Sequence, residues 1–143
     1  MRTIARNWLI QNKIGLISGE ELISLADNYI AENDEFPDWM IDISTNSSLE
    51  RVKGLDLVME PITEVDCKVI AGKMLELLTS NAIDTSHLAT ACEQMYLSLE
   101  WGSTVFNHFI WLSDEISLNE KGYKETENLD KAIKDELCKI AAL

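Results

Sequence analysis

A chain of 143 residues is long enough to bury its own core without a disulfide or metal staple. Its apolar fraction of 46% and charged fraction of 26% are those of a globular protein, which excludes a disordered or low-complexity chain. The net charge of −13, from 25 acids against 12 bases, repels phosphate, so neither nucleic acid nor an anionic membrane is expected as a partner.

Residues 3–14 place Ile4, Trp8 and Leu9 on one helical face, and Gly15 offers a left-handed stop. Ser18-Gly19-Glu20-Glu21 reads as a capping box, with Ile17 and Leu22 as the hydrophobic staple around it. Behind the cap, Leu22, Ala26, Tyr29 and Ile30 form a stripe with Leu25 at its margin, and the pattern ends near Asn33. Pro37 is expected as the first residue of a short helix, where its missing N–H costs nothing. Trp39, Met40 and Ile43 then point inward, and Asp38 and Asp42 share an exposed face. Thr45 to Ser48 is a polar connector, and Leu49, Val52 and Leu55 suggest a further helix over 48–58 that Gly54 weakens.

Glu60-Pro61 breaks the chain, and Ile62-Thr63-Glu64-Val65-Asp66 repeats the staple-and-cap device. The helix it opens, 64–79, is expected to bury Val65, Val69, Ile70, Met74, Leu77 and Leu78. Asp84 or Thr85 starts the next, with Leu88, Cys92, Met95, Tyr96 and Leu99 at helical spacing and Gly102 as its stop. Ser103 to Ser113 is apolar most of the way round and belongs in the centre of the core. Asn119 to Asn128 reads as the longest loop, and a last helix over 126–142 sets Leu129, Ile133, Leu137 and Ile140 on one stripe. No stretch keeps the strict alternation of a half-buried strand. The expected fold is all-α, a single domain over 1–143 built as an irregular bundle of about seven helices. The recurrence of the cap–staple device at Ile17 and Ile62 raises helix-pair, solenoid-like units as the alternative.

Little in the chain resembles catalytic machinery. His87 and His108 belong to no H-x-x-x-H or H-E-x-x-H pair, so no metal site is expected. There is no phosphate-cradling glycine loop and no G-x-S-x-G elbow, and no cofactor is implied. Glu100, between Leu99 and Trp101, is the best candidate for a carboxylate with a raised pKa. Cys67, Cys92 and Cys138 are odd in number, widely spaced and set among apolar neighbours, which predicts three buried thiols and no disulfide framework. With an N-terminal apolar run too broken for a signal peptide, a reducing, cytoplasmic compartment is expected.

Charge is distributed unevenly. No Lys or Arg occurs from Ile14 to Glu50 or from Met74 to Glu120, although both windows are rich in acids. Within the first, ENDEFPDWMIDIS (Glu32 to Ser44) sets Asp34, Glu35, Asp38 and Asp42 beside Trp39. The acids suit Lys or Arg of a basic partner, with Trp39 as an aromatic anchor. The plainer account is that Phe36 and Trp39 pin the turn to the core while the acids are solvated and keep the protein soluble.

Across Trp8 to Ser44, the short first helix, the capped I-S-x-E-E helix and the acidic turn into F-P-x-W-M resemble small, acidic, all-helical bacterial immunity proteins. Those proteins are encoded beside polymorphic or contact-dependent toxins. The resemblance covers about a quarter of the chain and implies a cytoplasmic immunity protein that neutralises a toxin domain by binding it, without catalysis; that this domain is basic rests on the charge pattern. It carries no site residues, so Asp34, Glu35, Asp38, Asp42 and Trp39 rest on the charge pattern alone. The expected state is a monomer. The alternative is a regulatory or scaffold module that binds a partner helix or self-associates through the aromatics of Phe106 to Trp111.

Overall fold

A computed structural model describes residues 2–45, 61–99 and 103–143. The expected helix over 48–58 and the stop at Gly102 lie outside them. Seven helices make up the described chain: α1 (Arg2–Lys13), α2 (Gly19–Glu32), α3 (Asp38–Thr45), α4 (Glu64–Thr79), α5 (Thr85–Ser98), α6 (Phe106–Glu120) and α7 (Leu129–Ala141). Among the described residues there is no sheet, and the one extended pairing is an isolated parallel bridge between Ile62 and Leu99. The fold is all-α. The described residues fall into two compact units, 2–13 with 17–45 and 14–16 with 61–143.

In the first unit, α1, α2 and α3 enclose a core of Ala5, Leu9, Ile17, Leu22, Ala26, Met40 and Ile43. Ser18 caps α2 as expected: its side chain accepts from Glu21 N–H at 3.1 Å, and the Glu21 carboxylate accepts from Ser18 N–H at 3.4 Å. Ile17 and Leu22 both enter the core, so the staple fixes how the chain enters the helix. Trp8 of α1 meets Tyr29 of α2 edge to face, with centroids 6.2 Å apart. Ile4 departs from expectation and is exposed; Ala5 and Leu9 set the buried direction of α1, and Ile4 sits off that line.

In the second unit, α5 lies along α6, α4 lies along α7, and α6 also meets α7. Thr63 caps α4, with its hydroxyl accepting from Asp66 N–H at 3.2 Å and donating to the Asp66 carboxylate at 3.0 Å. That cap turns Ile62 and Cys67 inward, and Ile70, Ala71, Met74 and Leu78 follow on the same face. Val65 and Val69 lie opposite that face and are exposed, Val65 by 68%, contrary to the sequence expectation; Leu77 is half-buried.

The ends of these helices are closed by local chemistry. After α4, Asn81 takes the left-handed conformation (φ 59°), and Ala82 N–H reaches back to the Leu77 carbonyl at 2.9 Å. After α6, Gly122 (φ 76°) does the same, with Tyr123 N–H on the Leu118 carbonyl at 3.0 Å. Helix α5 ends at Ser98, before the expected glycine stop. Helix α6 is not apolar-faced all round. Phe109, Leu112 and Ile116 are fully buried, whereas Asn107, Trp111, Asp114 and Leu118 share the outer face. On α7, Ile133, Leu137 and Ile140 are fully buried and Leu129 is half-buried, close to the expected stripe. Cys67 and Cys92 are buried, but Cys138 is exposed, because it falls between the inward positions Leu137 and Ile140 and faces away from both.

Candidate functional site

The acidic turn is built from the end of α2 and the start of α3. Asn33 closes α2 twice, donating its backbone N–H to the Tyr29 carbonyl at 3.1 Å and its side-chain amide to the same oxygen at 2.9 Å. Pro37 sits one residue before α3 rather than inside it, and its carbonyl accepts from Met40 N–H at 2.9 Å. Met40 and Ile43 are buried, and Phe36 and Trp39 pack half-buried against the same core. The turn is therefore anchored from below by apolar contacts, and Ser44 of α3 donates its hydroxyl to Asp27 of α2 beside it.

On this anchored turn, Asp34, Glu35 and Asp38 are exposed. Asp42 is one helical turn further along α3 and half-buried, so the face shared with Asp38 is only partly open. Trp39 joins the acids in position but gives part of its ring to the core. The structure thus gathers Asp34, Glu35, Asp38 and Trp39 on one short segment, with Asp42 at its edge. Chemically, such a surface accepts hydrogen bonds from Lys or Arg and offers a fixed aromatic edge.

The two histidines both make contacts within the fold. His87 sits in the first turn of α5, with its Nε2 against the Gly15 carbonyl and its backbone N–H on the Asp84 carboxylate at 2.8 Å. His108 Nδ1 meets Glu136 of α7, which also lies 3.5 Å from Lys139. No group of three potential metal ligands occurs among the described residues. Glu100 lies outside them.

One functional-looking carboxylate escaped the sequence reading. Glu115 is 4% exposed, and its carboxylate accepts from the Thr126 hydroxyl and from Lys124 Nζ at 2.9 Å. Asn119 completes the cluster, donating to the Glu115 carbonyl at 2.7 Å and accepting from Thr126 N–H at 2.8 Å. The Thr126 hydroxyl first, and then Lys124, hold the Glu115 carboxyl below its ordinary value against the opposing effect of burial. A carboxylate with a lowered pKa that is already engaged is a poor proton donor. The cluster ties residues 121–128 to α6. Its signal was Glu115 lying three residues after the inward-facing Leu112, which puts a charge toward the core and calls for a partner nearby in the chain. Compared with known proteins, the chain matches no family model, no curated protein and no solved structure.

Proposed function

We propose that this chain is a cytoplasmic immunity or inhibitor protein that binds and neutralises a basic toxin domain through acidic surface, without catalysis. The observation that carries this reading is the acidic turn: three exposed carboxylates, Asp34, Glu35 and Asp38, stand on a segment fixed to a core, in a window without a single Lys or Arg. Fixed carboxylates cost less ordering on binding than flexible ones, and an uncompensated acidic field accelerates encounter with a basic surface. A nuclease domain is the natural target class, because its cleft is built to meet phosphates and an array of carboxylates can stand in for them. Asp42 and Trp39 would border the contact.

The experiment takes the product of the adjacent coding sequence as the expected toxin domain. Co-expression should restore growth, and purified proteins should form a 1:1 complex whose association rate falls as salt rises. Reversing Asp34, Glu35 and Asp38 to Lys should slow association while the far-UV spectrum stays helical. Absence of protection and of binding would overturn the reading.

A further inference from the structure

The second window without Lys or Arg, Met74 to Glu120, contains the whole of α5 and α6. Helices α5 and α6 run side by side, joined at one end by the Ser86 hydroxyl on Glu120 at 2.6 Å and at the other by Tyr96 stacked edge-on against Phe106 at 5.8 Å. These pairings make the two helices antiparallel. Glu93 from α5 and Asp114 from the outer face of α6 are both exposed. Both lie close enough to Tyr96 that their charges add to burial in pushing its phenol upward. Large apolar groups near them in the sequence are also exposed: Leu97 at 65% four residues beyond Glu93, and Trp111 at 37% and Leu118 at 39% on either side of Asp114. At the C-terminal end of the same face, Asp114, Ser117, Leu118, Lys121 and Tyr123 line a depression of about 370 Å³, with Tyr123 79% exposed.

Exposed aromatic and aliphatic side chains near carboxylates can serve as a binding surface, the apolar groups supplying contact area and the carboxylates selecting the partner. The charge selects the occupant. A second copy of a chain carrying −13 would bring like charge onto Glu93 and Asp114, and nucleic acid or an anionic membrane would be repelled as well. A basic protein surface meets all the features: its Arg or Lys pairs with the carboxylates, and its aliphatic stems or an Arg guanidinium stack on Trp111 and Tyr123. We propose that the α5–α6 ridge is a contact surface for the basic protein partner, with Asp114 and Glu93 as its charged centre and Trp111 as its anchor. This rests on the inhibitor reading above and adds a surface in the second unit to the acidic turn in the first. Lys121 lines the same depression as Asp114 and limits the acidic field there.

The test is ¹H–¹⁵N NMR of the full chain titrated with a hexa-arginine peptide. The four tryptophan indole N–H signals, assigned by single Trp→Phe variants, report the two surfaces separately, Trp39 for the turn and Trp111 for the ridge. The expected result is a saturable shift of Trp111. Glu93→Lys with Asp114→Lys should weaken that shift about tenfold, whereas Asp34→Lys with Glu35→Lys and Asp38→Lys should leave it in place. A stationary Trp111, or a Trp111 shift equally strong after reversal of Glu93 and Asp114, overturns the ridge. Movement of Trp39 alone overturns the ridge and leaves the inhibitor reading standing, while immobility of both indoles counts against the two together.

Discussion

Lys124 Nζ stands 2.9 Å from Glu115 Oε2, joining a half-exposed lysine side chain to a carboxylate buried within the second unit. Thr126 donates to the other carboxylate oxygen, so both oxygens are satisfied. Glu115→Gln removes the charge and turns one of the two acceptor oxygens into an amide donor, so either Lys124 or Thr126 loses its acceptor, and the change should cost about 1–3 kcal/mol at neutral pH. The pH dependence follows from the lowered pKa. The contribution is complete above the ordinary glutamate value of 4.5 and is lost as pH falls through the lower folded value. Urea unfolding of the wild type and the variant should therefore differ at pH 7 and converge under strong acid; a difference independent of pH would show that the carboxylate is not what holds the loop.

The three cysteines should separate sharply in reactivity. Burial, reinforced by Asp66 and Glu64, pushes the Cys67 thiol up to about 12, and burial pushes Cys92 higher still, so neither forms thiolate near neutrality. Cys138 is exposed. A disulfide-exchange reagent at pH 8 should label one thiol per native chain and three in urea. A Cys138→Ser variant that keeps one fast-reacting thiol would contradict the burial of Cys67 and Cys92.

Two helix ends invite opposite substitutions. Gly122 holds a left-handed backbone at φ 76°, and a Cβ there meets no neighbour within 4 Å, so the cost of Gly122→Ala is backbone strain alone, about 1 kcal/mol. Asn81 occupies the equivalent place after α4 at φ 59°, and Asn81→Gly should be neutral or stabilising by up to about 1 kcal/mol. Thermal melts of the two variants should move in opposite directions or leave Asn81→Gly unchanged; a marked loss at Asn81→Gly would mean its side chain contributes beyond the turn.

Much of the fold was legible because local chemistry states it directly. The cap boxes at Ser18 and Thr63, the Asp84 cap and the stripe on α7 all follow from sequence spacing, and each has the geometry expected of it. Phase was harder. Val65 and Val69 are spaced like core residues, but the inward turn of Ile62 and Cys67 at the cap rotates them into solvent. Trp111 was hidden for a similar reason: in a run with Phe109, Ile110 and Leu112, composition does not say which apolar group faces out until the helix phase is known. The acids of the turn were visible in sequence, whereas the half-burial of Asp42 was not, since it depends on how closely α3 lies on α2.

The acidic turn combines two separable roles, and stability measurements can divide them. Trp39 and Phe36 pack half-buried on a core that also contains Met40 and Ile43, so truncating Trp39 opens space beneath α3. A fully buried tryptophan costs about 3–5 kcal/mol when cut to alanine, and half-burial scales Trp39→Ala to about 2 kcal/mol. Asp34, Glu35 and Asp38 are exposed, and replacing exposed acids in a chain of net charge −13 relieves repulsion as much as it removes contacts. Their joint reversal to Lys should therefore change stability by less than about 1 kcal/mol. Asp42 is left untouched in this comparison because it is half-buried. The decisive measurement pairs unfolding free energy with the association rate for the basic partner: Trp39→Ala should lower the first, and the reversal should lower the second. If the reversal unfolds the unit instead, the carboxylates are structural and the turn is not a docking surface.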